Sequence, residues 1–135
     1  MTTTQRAATV APDRALRASL RLDAAASAGL GAIVLTGAAA LDTVVGLPAA
    51  GLVALGAFLL AYGAGVWRVG RPPRISRPAT GMVIVGNLLW TVASLAVAAA
   101  DPWSMTTPGR VLVVVQAAAV ALFAALQLAA VRRPT

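Results

Sequence analysis

The chain has 135 residues, of which 59% are hydrophobic and only 11% charged, with a net charge of +7 and a mean hydropathy of +0.84. A soluble domain carries about 25% charged residues, so this composition excludes a water-covered globule and points to one integral membrane domain. All 11 basic residues are Arg and all 4 acids are Asp, with no Lys, Glu, His or Cys, which removes disulfides and thiolate nucleophiles, imidazole bases and haem ligands, Schiff-base lysines and Cys- or His-based metal sites.

Residues 1–12, MTTTQRAATVAP, are small and polar and read as a mobile tail, ahead of one four-helix domain over residues 13–133. Pro12 and Asp13 resemble a helix start. A helix from there puts Arg14, Arg17 and Arg21 in one arc and Leu16, Leu20, Asp23 and Ser27 opposite it. The helix is expected to run on without a break over 13–41. Its apolar part, 24–41, is about 27 Å long at about 1.5 Å per residue, just enough to cross a bilayer. AAA at 38–40 also fits the small-residue rule for signal cleavage. The basic leader is long and three more apolar runs follow, so a spanning helix is the expectation.

Those three runs predict spanning helices over 49–67, 79–100 and 110–131. Their connections, DTVVGLP, RVGRPPRISRP and DPWSMTTPG, are short, which favours antiparallel neighbours. The expected fold is therefore all-α, an integral membrane four-helix bundle of up-down hairpins. A faint 2+2 tandem repeat supports two hairpins of like topology: AAALD, Pro48 and the exit RVGRP in one half correspond to AAAD, Pro108 and the exit RRP in the other.

The arginines set the orientation. Arg6, Arg14, Arg17 and Arg21 precede the first span, Arg68, Arg71, Arg74 and Arg77 lie between the second and third, and Arg132 and Arg133 close the chain. Only Arg110 falls on the other side. The positive-inside rule then places both termini and the middle loop in the cytoplasm. Usage rich in Ala and Arg, with no Lys, fits a high-GC bacterium and so its inner membrane. These arginines flank apolar runs and lack interleaved aromatics, so no nucleic-acid partner is expected.

Polar residues inside the apolar runs are the candidate site. Asp23 is either a solvated or Arg-paired carboxylate near a helix start, or an inward-facing proton or cation site. Ser27 shares its face. Asn87, Thr91 and Ser94 form one stripe on the third segment with Trp90 beside them. That stripe is either interhelical glue or a ligand lining with Trp90 as an aromatic wall. Gln116, Val120, Phe123 and Gln127 mark the inward face of the fourth segment, and Gln116, Asn87 and Tyr62 are candidates to share a pocket. Gly56, Leu60, Gly63 and Trp67 share a face of the second segment, where the glycines allow close helix approach or an oligomer contact. Asp42 and Asp101 read as helix-end residues.

The stretches LRLDAAASAGLGAIVLTG, GLPAAGLVALGAFLLAYGAGVW, GNLLWTVAS and FAALQLAAVRR together resemble small four-helix integral membrane proteins of high-GC bacteria whose activity is uncharacterised. The likeness covers residues 16–133 and rests on Asp23, GLP at 46–48, GNLLW at 86–90 and LQL at 126–128. It implies a membrane location and four helices. A more distant likeness is to small four-helix multidrug transporters, whose first helix holds an embedded carboxylate. Asp23 would take that place, although this chain has Asp for Glu and few aromatics.

The expectation is a non-enzymatic membrane protein, without a cofactor, that binds a lipid-like or small hydrophobic ligand or a partner membrane protein. Its ligand residues would be Asp23, Ser27, Tyr62, Asn87, Trp90, Thr91 and Gln116. The bilayer is its surroundings, with a homodimer or another membrane protein as candidate partner. The alternative is a small proton- or cation-coupled transporter using Asp23.

Overall fold

The computed structural model describes residues 3–134, and their side chains from Arg14 on. They form four helices: α1 (Thr3–Val45), α2 (Ala49–Val69), α3 (Arg77–Ala100) and α4 (Thr107–Arg132). No strand occurs among the described residues. The stretches Arg14–Val45, Ala49–Val69, Arg77–Ala100 and Thr107–Arg132 are each long and apolar enough to cross a membrane.

Helical backbone begins at Thr3, well before the start expected near residue 13. Gln5, Arg6, Ala7 and Ala8 are all good helix formers, so nothing upstream of Pro12 breaks the helix. The other starts are set by caps that lie outside the apolar runs. Ser76 Oγ accepts the Ala79 N–H at 3.3 Å with Pro78 in the first turn. Thr106 Oγ1 accepts the Gly109 N–H at 3.1 Å with Pro108 in the first turn. A hydroxyl cap satisfies an otherwise orphaned helix N–H, and Pro in the first turn forfeits no bond. Asp101 ends α3 in a left-handed conformation, φ 47. Its carboxylate accepts the Met105 N–H at 2.7 Å and pairs with Arg110, so the helix-end role holds for Asp101. Asp42 lies within α1, and its Oδ1 is buried without a hydrogen-bond partner among the described residues.

α1 packs closely along α2. A Cβ on Gly56 would sit 2.8 Å from the Gly31 carbonyl oxygen and 2.6 Å from the Leu35 nitrogen. One on Gly63 would sit 2.8 Å from the Ala24 carbonyl oxygen. Gly56 and Gly63 are thus in backbone contact with α1, while Trp67, expected on the same face, stays half exposed. α3 packs on α4, and α4 on α1, but the backbones of α2 and α3 hardly approach one another.

Two apolar clusters close the ends. Leu16, Leu20, Val66 and Val83 gather with Ile75 and Ala130 near the arginine-rich loop. Val34, Ala38, Val45 and Leu52 gather at the opposite end. There, the Thr106 hydroxyl donates to the Val44 carbonyl at 2.5 Å, and Gly109 lies directly against the Val45 carbonyl. The outer surface is apolar: Ile33, Met82, Leu89, Val92, Val115 and Leu122 are all exposed. In water such a surface would aggregate, whereas acyl chains match it and the helices keep their backbone bonds internal.

Candidate functional site

The face of α1 opposite Arg14 and Arg21 turns inward, as its spacing requires: Leu16, Leu20 and Asp23 are buried. Asp23 is 0% exposed and is neither solvated nor paired with an arginine, the two structural readings its sequence position allowed. The basic side chains that flank it are engaged elsewhere. Arg17 donates to the carbonyls of Gly70, Arg71 (3.2 Å) and Pro73 (3.1 Å). Arg21 lies 5.4 Å from the centre of the Trp67 ring, a cation–π distance.

Side chains from all four helices meet around that acid. Asn87 Nδ2 donates to Asp23 Oδ2 at 2.7 Å and to Gln127 Oε1 at 3.2 Å. Gln127 Nε2 donates to Asp23 Oδ2 at 2.8 Å. The Ser27 hydroxyl donates to Asp23 Oδ1 at 3.3 Å, and the Tyr62 hydroxyl donates to Asn87 Oδ1 at 2.6 Å. Every partner of Asp23 is a neutral donor, so the acid is held by hydrogen bonds alone. Burying a carboxylate without a countercharge is expensive unless its oxygens are bonded, and here they are.

One turn and more along α3 lies a second polar set. Trp90 Nε1 donates to Gln116 Oε1 at 2.9 Å, and Gln116 Nε2 donates to Ser94 Oγ at 2.9 Å. The two sets border one cavity of about 160 Å³ between the helices. Ser27, Asn87 and Gln116 are the polar residues of its lining. Leu30, Val120 and Phe123 supply apolar lining. The remaining wall is aromatic: Phe58 stacks on Trp90 at 5.7 Å with 15° between the rings, and on Tyr62 at 6.2 Å with 23°.

Of the seven residues singled out from the sequence, Ser27, Tyr62, Asn87, Trp90 and Gln116 line this cavity. Asp23 stands behind Ser27 and Asn87 rather than in the wall. Thr91 turns to the backbone, donating to the Asn87 carbonyl at 2.9 Å and the Ala117 carbonyl at 3.4 Å, so it anchors α3 and faces no ligand space. Two members escape sequence reasoning. Gln127 sits on the predicted inward face of α4, but its bond to Asp23 spans 104 residues and no local pattern announces it. Phe58 lies one turn before Tyr62 in an apolar run, where an aromatic carries no signal of its own.

Among the described residues no three His, Cys, Asp or Glu converge as metal ligands. A buried acid held by amides, beside an apolar cavity with an aromatic wall, thus sits in a bundle of four helices long and apolar enough to cross a membrane. The sequence matches no family model, no curated protein and no solved structure.

Proposed function

We propose that this protein is a non-enzymatic, multi-pass membrane protein that takes a small, mainly apolar ligand into the cavity between its helices. The carrying observation is the cavity itself: about 160 Å³, walled by Phe58, Tyr62 and Trp90, with Ser27, Asn87 and Gln116 as its few polar residues. Ligand pockets are concave, mostly apolar and carry few, fixed polar groups. An apolar cavity of about 150 Å³ suffices to hold benzene. The polar side is fixed in place, because the Asp23 ring of bonds ties Asn87 to α1, α2 and α4. The family likeness to small four-helix bacterial membrane proteins is part of this reading.

The bundle is read as two antiparallel hairpins. Support comes from the order of contacts, with Leu20 against Gly70, Ala24 against Gly63 and Gly31 against Gly56. The tandem repeat is kept at the level of sequence, since α1 packs on α4 while α2 hardly meets α3. The arginine bias supports an inner-membrane protein with both termini and the α2–α3 loop in the cytoplasm.

Thermal unfolding in micelles with bromobenzene as probe tests the ligand reading. A ligand that binds the folded state stabilises it by about 2.7 kcal/mol at a hundredfold excess over Kd. The midpoint should rise for the native chain and not for Gly86→Leu, whose side chain would occupy the cavity beside Tyr62. Equal behaviour of the two proteins contradicts the proposal.

A second reading is favoured by one observation: Asp23 is fully buried with no cationic partner. Intramembrane acids of this kind often belong to proton or ion pathways. On this reading the protein is a small proton- or cation-coupled transporter. Proteoliposomes enclosing a pH dye, with an imposed potential, distinguish it. Proton uptake lost in Asp23→Asn supports transport, and uptake unchanged in that variant sinks it.

A further inference from the structure

We propose that the seam between α2 and α3 is a lateral portal through which the cavity fills from the acyl-chain layer, with Phe58 as its gate. This rests on the ligand-binding reading above and narrows its ligand to an uncharged, apolar molecule dissolved in the bilayer.

The other three seams have close backbone approach over at least part of their length. α1 and α2 meet backbone to backbone at Gly31, Gly56 and Gly63. α1 and α4 are joined at Gly109 and through the Asp23–Gln127 bond. α3 and α4 pack along their length and share the Trp90–Gln116–Ser94 chain of bonds. The α2–α3 seam alone lacks backbone approach, yet the cavity is lined from both of its sides, by Phe58 and Tyr62 on α2 and by Gly86, Asn87 and Trp90 on α3. What bridges it is the Tyr62–Asn87 hydrogen bond and the Phe58–Trp90 stack.

Phe58 is the movable member. Tyr62 is held by its hydroxyl and Trp90 by its indole N–H, whereas Phe58 has no polar atom to anchor it, stacks on both rings and is 52% exposed. A change of its rotamer uncovers the cavity without breaking a hydrogen bond or moving backbone. Routes from water are stopped at both ends. On one side lies the Leu16–Leu20–Val66 cluster, with Arg17 stitched to the Gly70–Pro73 carbonyls. On the other lies the Val34–Ala38–Val45–Leu52 cluster. Around the seam the exposed residues Val53, Ala57, Ala61, Val85 and Leu89 are all apolar, so what meets the portal is hydrocarbon, and a charged ligand would have to leave water to reach it.

The test uses the full chain with Trp67→Phe and Trp103→Phe, so that Trp90 is the only indole. It is reconstituted in phosphatidylcholine bilayers whose acyl chains carry bromine at mid-chain. Phe58→Ala should raise the quenching of Trp90 by the brominated chains at least twofold. Phe58→Trp is unsuitable because it adds an indole, so Phe58→Leu serves as the conservative variant, with an intermediate effect. Leu122→Ala, at an exposed α4 position outside the cavity lining, should leave lipid quenching at the parent level. Aqueous acrylamide should quench Trp90 weakly in all four proteins. Quenching unaltered by Phe58→Ala, as a second copy covering the seam would give, overturns the portal. Strong acrylamide quenching overturns it too, since the route would then run from water. Should the portal fail while bromobenzene still stabilises the native chain and not Gly86→Leu, the ligand reading stands and only the route is wrong.

Discussion

Asp23 accepts from Ser27, Asn87 and Gln127, and these bonds carry the polar core of the molecule. An Asn at this position keeps one carbonyl oxygen for both amides and presents its own N–H group to the Ser27 hydroxyl. Asp23→Asn is therefore expected to fold, with an unfolding midpoint near that of the native chain. Asn87→Ala removes the hub that touches three helices and leaves the Tyr62 hydroxyl and one Asp23 bond unmade. Each stranded buried group costs about 1–3 kcal/mol, so this variant should unfold at clearly lower denaturant in micelles. Tyr62→Phe deletes a single interhelical bond, worth about 0.6 kcal/mol on average and up to about 1.7 in membranes. A loss for Tyr62→Phe as large as that for Asn87→Ala would contradict the ring described here. That Asp23 faces inward was legible from its place opposite Arg14, Arg17 and Arg21. Its freedom from arginine was not, because whether Arg17 and Arg21 reach back to it depends on the carbonyls of Gly70–Pro73 and the ring of Trp67, which only the packing of α2 and its following loop against α1 brings near.

At the scale of elements, the glycines divide cleanly. Gly56 and Gly63 are in backbone contact with α1, and Gly109 with the end of the same helix. Gly51 and Gly65 have nothing within 4 Å of an added Cβ. Gly56→Leu and Gly63→Leu should force α1 and α2 apart and lower yield and unfolding midpoint together. Gly65→Ala should be neutral or slightly stabilising, since Ala favours a helix by about 1 kcal/mol over Gly. Thermal unfolding followed by far-UV circular dichroism separates these outcomes, and a damaging Gly65→Ala would be inconsistent with its open surroundings. The spans themselves were legible from apolar length alone. α2 starts at Ala49 as its apolar run implies, while α3 and α4 start earlier than theirs, because Ser76-Arg77-Pro78 and Thr106-Thr107-Pro108 are capping signals written in polar residues outside the apolar runs. The first helix is expected from about residue 13, whereas helical backbone begins at Thr3 and runs through Pro12, a residue that costs an interior helix one hydrogen bond.

For the whole molecule, the arginine-rich end and the apolar belt define the setting. The chain has no native cysteine, so Arg74→Cys and Trp103→Cys can each be labelled alone. In intact bacterial cells a membrane-impermeant maleimide should reach Cys at position 103 and not at position 74, and the reverse pattern would invert the proposed orientation. The bundle's contents were less legible than its outline. Tyr62, Asn87, Trp90 and Gln116 were recognisable as polar or aromatic intruders in apolar runs, but that they enclose a common space follows from the unequal seams, and the gap between α2 and α3 leaves no mark in either helix's sequence. The central claim is that this space receives a small apolar molecule. The most direct measurement is bromobenzene quenching of Trp90 in the variant lacking Trp67 and Trp103, against the same protein carrying Gly86→Leu. Saturable quenching in the first and only linear, partition-like quenching in the second is the result expected. Saturable quenching in both, or in neither, would contradict it.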